Sequence, residues 1–179
     1  GVVFTPKPQD LKKLKKDLES TFAGLEETLR FLAGIKLPDF ELEREFISLK
    51  ARGEYAFYSG EPVSSVGKEI DAKDFTDEVK EYVVEHSSAK HAATSRGTYM
   101  VGALARLNNN SRQLSPRAKA ALKTSGLKMP CYNPFANNMA QLIECFHATE
   151  DAIKTIGELL SYGPKQEPLA KPAKFGRGV

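Results

Sequence analysis

The sequence has few of the residues that cross-link or anchor a chain: it contains two cysteines, no tryptophan and no long apolar run. Cys131 and Cys145 lie 14 positions apart and form no C-x-x-C pair. This spacing argues against a disulfide framework and against a zinc site, so two reduced thiols are predicted. No apolar run reaches the roughly 18 residues that a membrane-spanning helix needs, and no membrane span is predicted.

The opening GVVFTP lacks the basic region, apolar stretch and cleavage site of a signal peptide. It also lacks an initiator methionine, which is consistent with processing or with a piece cut from a longer chain. Charge is nearly balanced, because 26 basic and 23 acidic side chains leave a net charge of +3. So small an imbalance gives no signal for a nucleic-acid partner. The early lysines at positions 12, 13, 15 and 16 are interpreted as a solvated helix face.

Motifs for self-contained chemistry are missing as well. The sequence has no glycine fingerprint for a dinucleotide and no phosphate-binding loop. His86 and His91 are five positions apart, which is not the four-residue spacing of a helical metal pair. Cys145 and His147 would point about 200° apart on a helix, so they could not share an ion. We therefore predict no catalytic, cofactor-binding or metal-binding residue within the chain.

Hydrophobic periodicity predicts a mainly helical protein. Leucines recur at steps of three and four in a long amphipathic helix from Pro8 to about Lys36. A second helix is predicted from Asp39 to Gly53, and a third from Asp74 to His86, each opened by a capping aspartate. Between these two, aromatic and valine runs separated by turn residues predict a small antiparallel β-meander.

Two later helices have clear start signals, Ser115-Pro116 and Asn133-Pro134, and end at Gly126 and Gly163. The segment 87–97 is predicted to be a loop and 108–111 a polar turn. The predicted fold is therefore mainly α with a small antiparallel β-meander, an α+β class. One helical domain would occupy 1–163 with a β insertion at about 54–71, and 164–179 would form an extended or disordered tail.

The segment from His86 to Asn110 carries the most information. Its many serines, alanines and glycines favour close backbone packing. Arg106 lies among apolar residues and, if buried, would need a carboxylate or carbonyl partner. These residues alone predict a tightly packed segment at an interface, and they specify no reaction.

The same segment resembles the large (alpha) subunit of nickel-iron hydrogenases. The resemblance rests on Ser88-Ala89-Lys90 and on GTYMVGALARLN at 97–108, whose V-G-A-L-A-R-L-N form is similar to the cytoplasmic branch. The stretches GVVFTP, EYAFYSG, NPF and GRGV agree with the family in order. The stretch QLIE at 141–144 resembles the family's R-x-I-E, with Gln141 in place of the arginine.

The resemblance implies that the chain is a helical-bundle part of a cytoplasmic enzyme that oxidises dihydrogen reversibly and passes electrons to iron-sulfur clusters in a small subunit. The family holds its nickel-iron centre with four cysteines from two C-x-x-C motifs, and this sequence has neither. The chain is therefore expected to be a non-catalytic internal scaffold of a longer enzyme, called the parent below, whose metal centre is held by other residues. Isolated, it would expose surfaces that can pair between copies.

One hypothesis assigns individual roles: His86, Lys90 and Arg106 would lie behind the ligands of the parent's metal centre or at a subunit interface. The alternative is that they are ordinary surface residues. For the whole chain, the rival interpretations are the metal-free homologous subunit of a quinone-reducing respiratory complex and a non-enzymatic helical adaptor that binds a protein. A nucleic-acid-binding protein is a third, and it would show a steep salt dependence.

Overall fold

A computed structural model describes residues 5–67, 70–71 and 73–163 of the protein. The helices are α1 (Pro8–Ala33), α2 (Phe75–Glu78), α3 (Ala103–Asn110), α4 (Pro116–Ser125) and α5 (Asn137–Tyr162), with single 3-10 turns at Ser111–Gln113 and Pro134–Ala136. The strands are β1 (Glu45–Lys50), β2 (Glu61–Ser64), β3 (Lys80–Val84), β4 (Ser87–Ala93) and β5 (Tyr99–Met100). These elements confirm the predicted α+β class.

The helical half of the molecule consists of α1, α4 and α5 packed on one another and on α3. Helix α1 starts at the predicted Pro8 and ends at Ala33, three residues before the predicted end, where the Gly34 N–H bonds to the Arg30 carbonyl. Its apolar stripe buries Leu11, Phe22 and Leu29. Burial of such a stripe, more than helix propensity, stabilises a surface helix.

The start and end signals predicted for the last two helices lie at the ends of helical segments in the structure. Proline opens α4 directly after Ser115, and Gly126 ends it in the left-handed conformation at φ 73°. The Asn133 side chain accepts a hydrogen bond from the Phe135 N–H at the start of the turn that leads into α5. Gly163, at φ 68°, follows the last residue of α5. The predicted tail at 164–179 lies outside the described residues.

The prediction of a second helix from Asp39 to Gly53 is wrong, because residues 45–50 form β1. This strand is the centre of a three-stranded sheet ordered β2-β1-β5, antiparallel to β2 and parallel to β5. Glu45, Phe46 and Ile47 are all buried. Because successive strand residues point to opposite faces, both faces of the strand are covered at this end. A strand covered on both faces shows no simple alternation, so its apolar residues can mimic helical spacing.

The third predicted helix is also largely wrong. Only Phe75–Glu78 is helical, and the Tyr-Val-Val run that follows enters β3, which pairs with β4 in a two-stranded antiparallel sheet. The predicted loop at 87–97 therefore contains a strand. Pairing of Tyr82 with His91 across the sheet outweighs the weak helical pattern, as expected for β-branched and aromatic residues.

The predicted β insertion is displaced rather than self-contained. Within the described part of 54–71, the only strand is β2, and residues 55–58 are irregular. Strand β2 pairs with β1, which lies outside the predicted insertion because it precedes residue 54. The core between the sheet and the helices is formed by wholly buried side chains, the largest of which are Phe46, Leu104, Leu107 and Ile143. Assignment of 1–163 to a single domain stays a prediction.

Candidate functional site

A buried ion pair joins α3 to α5. The Arg106 guanidinium donates from Nε to Oε1 of Glu144 and from Nη2 to Oε2, both at 2.7 Å. Such a fork-on-fork geometry is the strongest form of this pair. The Glu144 side chain is 9% exposed and that of Arg106 is 29% exposed. The hydrogen bond with Glu144 raises the pKa of Arg106, so the arginine stays charged.

A tyrosine from the loop between β1 and β2 completes this pair. The Tyr55 hydroxyl donates to Oε1 of Glu144 at 2.8 Å, and the Tyr55 side chain is buried. Burial, together with the neighbouring carboxylate, raises the pKa of Tyr55, so its proton stays on the phenol. Both oxygens of Glu144 are thus occupied by donors. We call Tyr55, Arg106 and Glu144 the buried triad.

An aromatic layer extends from the buried triad to the start of α4. The centre of the Phe57 ring lies 5.6 Å from Cζ of Arg106 and 5.7 Å from the centre of the His147 ring. The His147 ring contacts Tyr55, with 4.9 Å between centroids, and its Nδ1 accepts a hydrogen bond from the Ser115 N–H at 3.0 Å. Burial lowers the pKa of His147 against the opposing effect of nearby carboxylates, which favours the neutral ring that this hydrogen bond requires. A cleft of about 550 Å³ opens beside this layer, bordered by Tyr55, Ser115, His147, Glu150 and Asp151 among others.

A second carboxylate is held at the start of β1. Glu45 is buried and receives hydrogen bonds from Ser64, Thr94 and Arg96, the Arg96 Nε lying 3.1 Å from Oε2. Burial alone would raise the pKa of Glu45, but the bond from Arg96 and those from the two hydroxyls outweigh it and lower the pKa. This cluster ties the chain after β4 to the central strand.

Three consecutive asparagines at the end of α3 form a further set of contacts. Asn109 and Asn110 donate to the Phe46 and Leu49 carbonyls of β1, and Asn108 both donates to the Cys131 carbonyl and accepts from its N–H at 2.7 Å. The prediction of a polar turn at 108–111 is therefore wrong, because the asparagines belong to the helix and bind the backbone of other segments. Side-chain amides in such positions replace missing backbone partners.

The three residues singled out from the sequence are not brought together. Arg106 is half-buried and pairs with a carboxylate, one of the two partner types that the sequence predicted for it if buried. His86 lies in the exposed turn between β3 and β4, and Lys90 forms a surface pair with Glu81 at 2.7 Å. Exposed pairs of this kind stabilise little. Roles for these residues near a metal centre or an interface stay predictions.

Sequence reasoning missed Tyr55, Glu144 and His147 as parts of the site. A carboxylate or carbonyl partner was predicted for Arg106 if buried, but the sequence has 23 acidic residues and spacing does not select one of them. The triad has no unpaired acid or base, since both carboxylate oxygens receive donors and both other members are held protonated. Its geometry suits it to hold α3, α5 and the 51–60 loop in fixed positions rather than to transfer protons.

The residues present do not fit the nickel-iron centre that the resemblance implies. That centre requires four thiolates, and the sequence has two cysteines, of which Cys145 is exposed and Cys131 half-buried. Within 5–67, 70–71 and 73–163, no three His, Cys, Asp or Glu side chains come together in a metal-binding group. No chemical step through the metals is assigned to these residues.

Comparison with known proteins shows a similarity to a hydrogenase subunit. No family model matches the sequence. The chain is 32% identical over 176 residues to sulfhydrogenase 1 subunit alpha of Pyrococcus furiosus, a match that spans 97% of this chain and 41% of the relative. The chain is similar to the alpha subunit of a hydrogenase. It spans about two fifths of the length of that relative.

In the described part of the chain, no helix has the length and apolarity to cross a bilayer.

Proposed function

We propose that these residues form a scaffold segment in the large subunit of a nickel-iron hydrogenase of the cytoplasmic branch. The observation that carries the proposal is the match to the hydrogenase alpha subunit along 97% of the chain. In the parent, the remaining polypeptide would supply the metal ligands, and a small subunit with iron-sulfur clusters would accept electrons from dihydrogen.

The buried triad supports a scaffold role. Arg106 belongs to the stretch GTYMVGALARLN and Glu144 to QLIE, and both stretches resemble the hydrogenase family. The two residues are 38 positions apart in the sequence. They meet in a bidentate pair closed by Tyr55 from a third such stretch, EYAFYSG. A polar contact that links three family-like segments fixes their relative positions, which is what a support for a metal centre must do.

A segment exchange tests this proposal. The 176 matched residues of the Pyrococcus furiosus alpha subunit are replaced by those of this chain, and the resulting subunit is assayed for nickel content and for hydrogen-dependent reduction of a dye. We expect nickel incorporation and measurable hydrogen uptake, because the exchanged segment would meet the same neighbours. The matched control carries Arg106→Met in the exchanged segment and should incorporate less nickel.

Two outcomes would contradict the proposal. One is an exchanged subunit that is soluble and folded, judged by circular dichroism, yet binds no nickel. The other is a subunit whose nickel content and hydrogen uptake are the same with and without Arg106→Met. The first would remove the hydrogenase assignment, and the second would leave the triad without a supporting role.

A further inference from the structure

Acidic residues are absent from a long central stretch of the chain. Between Glu85 and Glu144 lie 58 residues that contain eight lysines and arginines and no aspartate or glutamate. The near-neutral overall charge hides this separation, because the acidic excess lies before residue 86. A local excess of one sign produces a local field whatever the net charge of the molecule.

Four of the eight cations are paired with carboxylates from outside the stretch. Arg96 and Arg106 bind the buried Glu45 and Glu144, while Lys90 and Arg117 face exposed acids on β3 and α1. These pairs account for the positive charge near the sheet and the triad.

The remaining four are Arg112, Lys119, Lys123 and Lys128, and all are exposed. None of them has an ion pair with any carboxylate in the part of the chain that the structure describes. Lys119 and Lys123 are one helical turn apart on α4, Arg112 precedes the helix by four residues and Lys128 follows it by three. We call these four residues the basic face.

Helix α4 holds two members of the basic face, Lys119 and Lys123, in a fixed position, and Arg112 and Lys128 lie in the segments on either side of it. Ala118 and Ala121 are buried against α1 and α5, so the opposite side of the helix faces solvent. Two carboxylates reach α4 at Arg117: Glu26 Oε1 lies 3.8 Å from its guanidinium, and Glu150 accepts a hydrogen bond from its backbone N–H at 3.0 Å. The basic face is therefore a small set of exposed cations centred on one helix, and the two carboxylates that reach this helix are paired with Arg117.

We propose that the basic face docks an acidic patch on a partner protein. Helix α4 has ten residues and is about 15 Å long, which matches a patch of a few carboxylates rather than an extended polyanion. No aromatic residue occurs from Arg112 to Lys128 to stack on a base. The carboxylates of Glu26 and Glu150, at the start of α4, would repel a nucleic-acid duplex that extended past the helix. Charges at such a rim set the association rate and its salt dependence. The inference does not depend on the proposed hydrogenase function.

The test uses octaglutamate as the acidic probe and a 12-base-pair DNA duplex as the competing ligand. Binding to the purified protein is followed by NMR, which reports which backbone amides shift. We expect octaglutamate to shift amides of residues 112–128 first. Lys119→Glu with Lys123→Glu should weaken this binding about tenfold, since two attractions become repulsions. Lys119→Gln with Lys123→Gln should weaken it less and guards against a folding defect of the reversed pair.

The matched control is Lys12→Glu with Lys16→Glu on α1, which has the same spacing, exposure and change in net charge. It should weaken octaglutamate binding by less than about twofold. Equal losses in the two reversed pairs would mean that only net charge matters and would overturn the proposal. Tighter binding of the duplex than of octaglutamate, at equal concentration of negative charge, would assign the surface to nucleic acid and would also overturn it.

Discussion

Removal of one partner of the buried triad is the sharpest test of what holds the helices together. Arg106→Met deletes the guanidinium and leaves the Glu144 carboxylate, 9% exposed, with the Tyr55 hydroxyl as its remaining donor. An uncompensated buried charge lowers the free energy of unfolding by about 3–5 kcal/mol. Because Arg106 is partly exposed, we expect the lower end of this range, about 3 kcal/mol. For a chain of this size, such a loss lowers the melting temperature by about 6–12 °C.

The pair itself is measured with a double-mutant cycle. Glu144→Leu alone leaves an unpaired arginine, but Arg106→Met with Glu144→Leu removes both charges, so the double variant should lose about as much as one single variant. Urea unfolding followed by circular dichroism gives the three free energies. Strict additivity of the two single losses, or a loss below about 0.5 kcal/mol for Arg106→Met, would refute the argument that the carboxylate depends on the guanidinium.

Three further predictions concern other parts of the fold. Because burial lowers the pKa of His147, the folded state resists protonation of this ring, and the free energy of unfolding should fall as the pH drops below about 6.5. In urea titrations at pH 7.5 and 5.5, His147→Gln should lose less stability between the two pH values than the unchanged protein does. An equal loss in both proteins would contradict this role of His147. Gly60→Ala should cost about 2–3 kcal/mol, because Gly60 has φ 134° and an added Cβ would lie 2.5 Å from the Lys50 carbonyl oxygen. Gly53→Ala would place its Cβ in open space and should cost about 1–2 kcal/mol, from the positive φ alone. Thermal melts that show the larger loss for Gly53→Ala would refute the steric argument. Asn108→Ala leaves the Cys131 N–H without its acceptor and should cost about 1–3 kcal/mol in the same melts, while a neutral result would mean that water replaces the amide.

Helix ends were predictable because their signals are local. A serine followed by proline starts α4, and Gly126 adopts the left-handed conformation that ends it. Neither feature requires knowledge of distant residues. The long apolar stripe of α1 is likewise contained in one window of sequence.

Strands β1 and β3 were not predictable by the same means. Residues 42, 46 and 49 have helical spacing, but β1 pairs with β5, more than 50 positions later, and is buried on both faces. Such long-range pairing overrides a short local pattern. For the site, the sequence predicted that Arg106 needs a partner, but only the fold selects Glu144, 38 positions away, and Tyr55, 89 positions from Glu144.

The β3–β4 sheet has a consequence for how the chain tolerates a break. Its two strands contact chiefly each other among the helices and strands, and its turn at Glu85 and His86 is exposed. Both halves of the chain contribute to the main core on either side of this turn, through α1 and β1 before it and α3 to α5 after it. Cleavage after Glu85 by a glutamate-specific protease would therefore cut the polypeptide without separating its parts. The nicked protein would elute as one particle and give two bands only on a denaturing gel.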